Sequence, residues 1–389
     1  MRKFLFPILI ITILAAATLL VIAFGRGYRP DFGKRTISST GLLVATSDPA
    51  GAQVFLDGNL KGATNTTLTL APGWYQVKLV KEGFLLWEKK MKVLGEVVAE
   101  TQALLFPSTP ALTPLTTAGV VAPTLSPDGT KIVYAIPQKA GLPAEAQAKA
   151  GLWVLPLTSQ PLGFSRDPQL VSPTTSSLDF SAGTFSWSPD SKQILVTIGA
   201  NHYLAEAEKG TQLVFLTREA WEKQITTWQE EMGAREEEKL AVLPQEFVKI
   251  ATSSAKSLAF SPDETKILYQ ATASATLPQI LASQPPATNP TPQVRNLKPG
   301  GFYVYDLRED KNFEISAQGD LFWFPSSRHL VEVTSDKISI LEYDGINKAT
   351  VYSGPFEKFV APLPSGTKLL ILTSYNRPGP ANLYSINLR

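Results

Sequence analysis

One hairpin recurs through the C-terminal part of this chain, and it constrains the fold more than any other feature. Its clearest copy is Thr124-Leu-Ser-Pro-Asp-Gly-Thr-Lys-Ile-Val-Tyr-Ala135, where apolar stretches flank Pro127, Asp128 and Gly129. Proline presets φ at the first central position of a turn, aspartate bonds its own backbone, and glycine accepts a positive φ. The segment therefore predicts a strand, a tight turn and a second strand.

Further copies show that the hairpin is one part of a larger repeat. The Ser-Pro-Asp turn returns at Pro189-Asp190 and at Pro262-Asp263, and degenerate copies surround Pro325 and Pro364. We expect a third strand after each hairpin, at Gly151–Leu155, Thr211–Leu216, Gly301–Asp306, Lys337–Tyr343 and Ala381–Ile386. A fourth strand is expected in the first four repeats, at Gln169–Ser172, Phe247–Thr252, Asn312–Ser316 and Ala349–Tyr352. Four strands per irregular repeat are typical of a β-propeller blade.

The fifth repeat ends at Arg389 after three strands, so its outer strand must come from elsewhere. The segment Leu112–Thr116 resembles Leu170–Thr175, the outer strand of the first repeat, and supplies the missing one. Such a closure leaves no open sheet edge in the ring. Residues 107–389 therefore predict about five four-stranded blades. The Ser-Pro-Asp-Gly repeats resemble the TolB-like, WD40-like propellers of extracytoplasmic proteins, which often have six blades, so five is a departure from that family.

The N-terminus has the pattern of a membrane anchor. Phe4–Phe24 carries no charge and is long enough to cross a bilayer as a helix. A cleaved signal peptide is the alternative, but its apolar core is usually about 7–15 residues long. Residues 1–24 therefore predict a single-pass anchor with the C-terminal domains outside the cytoplasm, and residues 25–40 a polar tether. The basic residues that follow the helix weaken the charge contrast that would set its orientation.

Residues 41–106 predict a compact β domain. Asp57-Gly58 between apolar runs is a strong hairpin signal. The segments Pro49-Ala-Gly51-Ala52, Val54-Phe-Leu-Asp57-Gly58, Pro72-Gly73-Trp74-Tyr75 and Gly83-Phe84 resemble the PEGA domain, with Ala50 in place of the glutamate of its name motif. That resemblance implies a small β-sandwich of envelope proteins without a catalytic role. Trp74 and Tyr75 form either a glycan-stacking pair or an ordinary alternation with one ring in the core.

Three insertions interrupt the predicted propeller. Pro137–Ala150 is rich in alanine and lysine and predicts a loop or short helix, while the proline-rich segment 273–300 predicts an extended, disordered loop. Residues 218–240 differ, because their apolar side chains recur at helical spacing: Trp221, Ile225, Trp228 and Met232. This stripe packs either on the rim of the propeller or on a partner, with the two tryptophans as anchors.

The sequence lacks the residues that most kinds of catalytic chemistry require. It has no cysteine, its two histidines are far apart, and its net charge of +2 does not indicate nucleic-acid binding. No Gly-x-Ser-x-Gly hydrolase motif follows the propeller. Asp179, Asp320 and Glu357 lie near innermost strands, where propeller glycosidases carry their acids. The repeated Asp128, Asp190 and Asp263 are turn residues, and we expect no metal or other cofactor.

These observations favour a non-catalytic, membrane-anchored binding or scaffold protein of a bacterial envelope. Its propeller would present a surface to an envelope protein or to cell-wall glycan, because loops on a rigid ring can vary freely. A glycan-active enzyme is one alternative, and clustering of Asp179, Asp320 and Glu357 within about 10 Å around the central pore would favour it. A structural spacer in a surface layer is the other.

Overall fold

The computed structural model describes residues 2–25, 28–31, 36–138, 149–158, 167–207, 212–286, 288–375 and 380–389. The chain divides into two compact units. The first consists of Met1–Ser108, Leu281–Gln293 and Arg308–Lys311, and the second of Thr109–Ile280, Val294–Leu307 and Asn312–Arg389. Most of the insertion predicted at Pro137–Ala150 and part of the predicted tether lie outside the described residues.

The first unit begins with helix α1, Arg2–Gly25, whose side chains are described for residues 7–22 and 25. Nowhere in the described residues is a helix both long enough and apolar enough to cross a membrane. Within the predicted tether, strands Tyr28–Asp31 and Thr36–Ser39 pair antiparallel. This segment therefore contains a small hairpin that its polar composition did not indicate.

Residues 41–104 form a β-sandwich, as the PEGA resemblance implies. One sheet has four strands in the order Asn59–Ala63, Gln53–Leu56, Gly73–Val80 and Trp87–Val93. The other has three, Val98–Glu100, Gly41–Ala45 and Thr66–Leu70, and Ala103–Leu104 pairs separately with Ser47–Asp48. Side chains from both sheets share one core, including Leu43, Val54, Leu79 and Trp87. Asp57 and Gly58 both have positive φ, 48° and 82°, as a tight hairpin turn requires.

The second unit contains the predicted blades, each a sheet of four neighbouring strands. The strands, numbered first to fourth within each blade, have the following bounds. Blade 1 has Val121–Leu125, Lys131–Ile136, Gly151–Pro156 and Gln169–Pro173; blade 2 has Thr184–Trp187, Gln193–Ile198, Asn201–Glu206 and Val214–Leu216; blade 3 has Ala255–Phe260, Lys266–Ala271, Phe302–Asp306 and Lys311–Ile315; blade 4 has Asp320–Trp323, His329–Val333, Lys337–Glu342 and Ala349–Ser353; blade 5 has Val360–Pro362, Lys368–Thr373, Asn382–Asn387 and Leu112–Pro114.

The ring closes as the sequence predicts. Leu112, Thr113 and Pro114 pair antiparallel with Ile386, Ser385 and Tyr384 of the third strand of blade 5. The first strands of blades 1 and 2 contact each other, as do those of blades 3 and 4, so first strands line the centre. Apolar cores join blade 1 to blade 2, blade 3 to blade 4, and blade 5 to blade 1. The described residues thus form a five-bladed propeller.

Blade 2 departs from the sequence prediction. Its third strand is Asn201–Glu206, which follows the second strand through the two-residue turn Gly199-Ala200, and the segment predicted as third strand supplies the fourth. Phe247–Thr252, predicted as the fourth strand, is helical and belongs to helix α3, Gln245–Ser254. Phe247 and Ala251 are one helical turn apart and are both buried, which explains the apolar character of that segment.

The proline-rich segment 273–300 also differs from the predicted disordered loop. Ala275–Thr276 pairs with Asn296–Leu297, and Leu277 and Leu297 are buried in the core of blade 3. Farther along the segment, in the first unit, Asp310 accepts a hydrogen bond from the Leu281 amide and Glu309 accepts one from the Asn289 amide. Proline content alone was a poor guide, because strand pairing, buried leucines and hydrogen bonds to Asp310 and Glu309 order this segment.

Candidate functional site

The antiparallel strands divide the loops of the propeller between its two faces. The Ser-Pro-Asp turns join first to second strands and lie on one face. Loops that enter first strands, and loops that join second to third strands, lie on the other face. Loops on this second face, from blades 4 and 5, surround the candidate site described below.

A cavity of about 1210 Å³ lies between blades 4 and 5. Its wall is formed by the loop that enters blade 4 (Gln318–Asp320), the loop between its second and third strands (Thr334–Asp336), and the loop that enters blade 5 (Phe356–Lys358). Phe322 and Val360, from the two first strands, also line it. Ligand sites of drug size usually enclose about 300–1000 Å³, so this cavity is large enough for an oligosaccharide or a peptide segment.

The lining of the cavity is amphipathic and carries charges of both signs. Phe322 and Phe356 supply aromatic surface, and hydroxyl groups come from Thr334, Ser335, Ser339 and Thr350. The acidic residues are Asp320, Glu332, Asp336 and Glu357, and the basic ones are Lys337, Lys348 and Lys358. Pockets for drug-sized ligands are usually lined mainly by apolar side chains. Most side chains that line this cavity are polar or charged, so it suits a polar ligand better than an apolar one.

Glu332 organises one wall of this cavity. Its side chain is 1% exposed and forms an ion pair with Lys348. The same carboxylate accepts a hydrogen bond of 2.8 Å from the amide of Gln318, in the loop that enters blade 4. A buried carboxylate is stable only when it is paired and hydrogen-bonded. Glu332 therefore holds the loop and the lysine in fixed positions at the cavity wall.

The structure brings together two of the three acidic residues that the sequence singled out. Asp320 and Glu357 line the same cavity. Asp179 instead caps a one-turn 3₁₀ helix, Phe180–Ala182, where its carboxylate accepts a hydrogen bond of 2.9 Å from the Ser181 amide. Among the described residues, no group of three or more His, Asp or Glu side chains is placed to hold a metal ion.

The three aspartates predicted to form turns, Asp128, Asp190 and Asp263, each accept hydrogen bonds within their own turn. Ser126 and Thr130 donate hydrogen bonds of 2.6 and 2.8 Å to the Asp128 carboxylate, and the Thr130 amide adds a third. Burial raises the pKa of Asp128, but these hydrogen bonds outweigh it and hold that pKa below its ordinary value. Asp263 has the same balance, so its pKa is lowered too. At the exposed Asp190 the hydrogen bond from Ser188 is the main reason for a lowered pKa.

All five hairpins share one backbone feature, including the two degenerate copies. The residue two positions after the turn proline has a positive φ in every blade: Gly129 (70°), Ser191 (60°), Glu264 (56°), Ser327 (58°) and Gly366 (65°). Glycine adopts this conformation freely, whereas other residues adopt it at a cost. The three non-glycine residues therefore indicate positions where the side chain makes a contact that glycine could not make.

Two of these side chains connect neighbouring blades. The Ser191 hydroxyl of blade 2 accepts a hydrogen bond from the Asp128 amide of blade 1, and Trp187 donates through its indole N–H to the Thr124 carbonyl at 3.0 Å. Blades 3 and 4 repeat the arrangement. Ser327 accepts from the Asp263 amide, and Trp323 donates to the Ala259 carbonyl at 2.7 Å. We call each such tryptophan and serine pair a Trp–Ser latch.

The latch corresponds to the sequence pattern Trp-x-Pro-x-Ser. A description of the repeats as simple strand–turn–strand units does not show this pattern. It occurs as Trp187-Ser-Pro-Asp-Ser191 and as Trp323-Phe-Pro-Ser-Ser327. Blade 5 has Pro362 and Gly366 at the equivalent positions. Neither residue has a side-chain donor or acceptor, so the interface between blades 4 and 5, where the cavity lies, has no latch of this kind.

The predicted helical insertion is helix α2, Arg218–Ala241, which begins at the N-cap Thr217. Trp221 stacks on His202 of blade 2 with ring centroids 4.1 Å apart, and Trp228 is buried. Ile225 is half-buried and Met232 is 41% exposed. In the structure, Trp221 thus packs on blade 2 and Trp228 is shielded from solvent.

Helix α2 also joins the turns of blades 2 and 3. Arg235 donates a hydrogen bond of 2.8 Å to the Pro189 carbonyl in the turn of blade 2. Lys239 forms an ion pair of 2.8 Å with Glu264 in the turn of blade 3, and its ammonium lies 5.4 Å from the centroid of the Phe260 ring. Glu264, the non-glycine residue in the turn of blade 3, therefore contacts helix α2 and does not connect two blades directly.

In the β-sandwich, Trp74 and Tyr75 follow the ordinary alternation of a strand. Tyr75 packs against the core and donates a hydrogen bond to the Ala71 carbonyl. Trp74 points outward and is 49% exposed. The two rings lie on opposite faces of the sheet, so they do not form one stacking surface.

Comparison with known proteins finds a family match for the β-sandwich. Residues 40–105 match the family model described as "PEGA domain". A search of curated proteins gave no match. Solved structures similar to this chain include a putative TolB from Agrobacterium tumefaciens, 14% identical, covering 69% of this chain and 78% of that one with a TM-score of 0.22.

Two other similar structures show the same low level of likeness. TolB from Acinetobacter baumannii is 12% identical, with 80% of this chain and 59% of that one covered and a TM-score of 0.24. A Xanthomonas campestris protein described as a gluconolactonase is 11% identical, with 72% and 90% covered and a TM-score of 0.25. The propeller assignment therefore rests on the five sheets and their closure.

Proposed function

We propose that this chain, a PEGA domain followed by a five-bladed propeller, is a non-catalytic binding protein of the bacterial envelope. The cavity between blades 4 and 5 is its binding site, and an envelope protein or cell-wall glycan is its ligand. The observation that carries the proposal is the cavity itself, a large amphipathic space at a blade junction without a Trp–Ser latch. The PEGA match adds an envelope setting.

The proposal places the chain in the cell membrane through the apolar run Phe4–Phe24, with the β-sandwich and propeller outside the cytoplasm. Washing membranes with carbonate and treating intact spheroplasts with protease tests this part. We expect the chain to stay with the membrane and its C-terminal domains to be digested. Release by carbonate, or protection of those domains, would contradict it.

Binding is tested with the full chain in mild detergent, against isolated cell-wall sacculi and against solubilised envelope proteins. Phe356→Ala removes one aromatic wall of the cavity, and Phe215→Ala removes an exposed phenylalanine, 59% accessible, at the edge of blade 2 as the matched control. We expect the cavity variant to lose retention on sacculi or to lose a specific envelope partner, while the control behaves as wild type. Equal retention by all three proteins would place binding elsewhere.

A glycan-active enzyme is the second candidate, because Asp320 and Glu357 line one cavity and glycosidases act through two such carboxylates. Incubating sacculi with the wild-type chain and with Glu357→Gln distinguishes the candidates. Soluble fragments released only by the wild type would indicate an enzyme. Binding without release by either protein would support the binding function.

A further inference from the structure

The outward face of the four-stranded sheet in the β-sandwich has an unusual composition. Side chains alternate along its strands, so Val77, Leu79 and Met91 are buried in the core. Their neighbours point outward: Trp74, Gln76, Lys78 and Val80 on one strand, and Glu88, Lys90 and Lys92 on the next. Trp74 lies directly opposite Lys92 in the sheet, and Gln76 lies opposite Lys90.

The tryptophan and two lysines form one group on this face. The ammonium of Lys90 lies 5.3 Å from the centroid of the Trp74 ring, and that of Lys92 lies 5.7 Å from it. Both distances are within the range of a cation–π contact. The indole ring is still 49% exposed, so it and the two cations face solvent together.

The rest of this face also carries positive charge and exposed apolar side chains. Lys78 is a third cation, and Glu88, the one acidic side chain on these two strands' outward side, lies 3.2 Å from it. The apolar residues Leu60 and Val80 are 57% and 39% exposed, and their register places them on the same face. We call this set of residues, with Trp74, Lys90 and Lys92, the Trp–Lys face.

We propose that the Trp–Lys face docks on the anionic phospholipid surface of the membrane that holds the N-terminal helix. An exposed indole beside cations matches the interfacial region of a bilayer, where tryptophan is enriched and lysine binds anionic headgroups. The chain also keeps this domain nearby. Only the residues between Gly25 and Gly41 separate it from the helix, a reach of at most roughly 55 Å. The inference rests on the membrane attachment proposed above.

The chain has no cysteine, so a single introduced cysteine gives a unique labelling site. Gln53 is exposed on the same face, and Thr69 is exposed on the opposite sheet of the same domain. Full-length Gln53→Cys and Thr69→Cys carry an environment-sensitive fluorophore and are reconstituted in vesicles of phosphatidylcholine, with or without phosphatidylglycerol. We expect a blue shift at position 53 when phosphatidylglycerol is present, and no shift at position 69.

Charge reversal tests the named residues. Lys92→Glu in the Gln53→Cys protein should lower the ratio of docked to undocked protein roughly fivefold or more, since each lysine near an anionic surface contributes that much to the docking equilibrium. Lys249→Glu, the same change on the exposed side of α3, should leave the shift intact. Circular dichroism of both variants checks the fold. No shift at position 53, an equal shift at both positions, or a shift indifferent to Lys92→Glu would overturn the proposal.

Flotation of the same vesicles separates this proposal from the one it rests on. Protein that floats with vesicles of both compositions is attached by its helix, so a missing fluorescence shift then refutes docking of the Trp–Lys face alone. Protein that fails to float with either composition refutes the membrane attachment and the docking together.

Discussion

Blade 4 has two different neighbours, and the contrast between its two junctions is informative. Toward blade 3, Trp323 and Ser327 form a Trp–Ser latch, and an apolar core that includes Leu268, Leu330 and Leu341 fills the junction. Toward blade 5 the latch positions are Pro362 and Gly366, and a cavity of about 1210 Å³ lies between the two blades. The same blade is thus held firmly on one side and presents a ligand-sized space on the other.

The latched junctions come in two matching pairs. In blades 1 and 3 the first strand contains an irregularity in its pairing, with Ala122 or Ser257 at positive φ two residues before the carbonyl that accepts from tryptophan. Blades 2 and 4 supply the tryptophan and the serine. Blades 1–2 and 3–4 are therefore two copies of one latched unit, and blade 5 is a single blade added to complete the ring.

The junction between blades 2 and 3 is different again. Phe260 and Glu264 occupy the latch positions of blade 3, and helix α2 reaches both turns through Arg235 and Lys239. The inserted helix thus connects two latched pairs that have no direct latch between them. The latched junctions, the junction with the cavity and the junction bridged by helix α2 can be separated by substitutions.

Removing a latch tryptophan should have the largest effect. Trp323 is 9% exposed, and truncating a buried tryptophan to alanine costs about 3–5 kcal/mol. We expect Trp323→Ala to lower the free energy of unfolding of the propeller by this amount in urea denaturation. Trp323→Phe keeps most of the ring but leaves the Ala259 carbonyl without its donor, and should cost about 1–3 kcal/mol. A cost below about 0.5 kcal/mol for Trp323→Phe would mean that the latch hydrogen bond contributes nothing.

The latch serine should have a smaller effect with a distinctive pattern. Ser327→Ala removes the acceptor of the Asp263 amide, at a cost of about 1–2 kcal/mol. Ser327→Gly removes it too, but relieves the positive φ of 58° and should cost about 1 kcal/mol less. Ser365→Ala, at the exposed turn of blade 5, is the control. If alanine and glycine have equal effects, the backbone conformation at this position costs nothing.

The turn aspartates predict a dependence on pH. Because the folded-state pKa of Asp128 and of Asp263 is lowered, each stabilises the fold fully above its ordinary pKa of about 3.9. That contribution is lost as the pH falls through the lowered folded-state pKa. We expect the melting temperature to fall below pH 4, and the Asp263→Asn variant to show a shallower fall. Parallel pH profiles for the two proteins would exclude a contribution from Asp263.

The helix connection should contribute least. The ion pair between Lys239 and Glu264 is partly exposed, so Lys239→Met should cost less than about 1 kcal/mol, and added salt should shrink the difference from wild type. Arg218→Met, in an exposed pair within the same helix, is the matched control. A cost above about 2 kcal/mol would mean that this ion pair stabilises the propeller as much as a Trp–Ser latch does.

Much of the fold was predictable from the sequence because each hairpin carries its own turn chemistry. Pro127-Asp128-Gly129 specifies a turn locally, and the closure by Leu112–Pro114 followed from counting strands. The third strand of blade 2 was missed because Asn201–Glu206 is polar, although Gly199-Ala200 is a hairpin signal. Phe247–Thr252 was assigned as a strand because a short apolar run fits either structure, and only packing of Phe247 and Ala251 decides between them.

The candidate site was less predictable, since it depends on contacts between residues far apart in sequence. Asp320 and Glu357 were identified by their places before first strands, and the cavity that joins them depends on how blades 4 and 5 pack. The role of Glu332 had no local signal, because its partners Gln318 and Lys348 come from other loops. Sequence spacing alone did not distinguish Asp179, a helix cap, from the other two acids.

The central claim is that ligand binds in the cavity between blades 4 and 5, and blocking that cavity tests it most directly. In this cysteine-free chain, Glu357→Cys places a unique thiol in the cavity wall, and Ser365→Cys places one on the opposite face of the same blade. Both are modified with a bulky maleimide, and retention on sacculi and on solubilised envelope proteins is measured before and after. The account predicts a loss of at least about tenfold in affinity for modified Glu357→Cys and none for modified Ser365→Cys. Unchanged retention with the cavity blocked would contradict it.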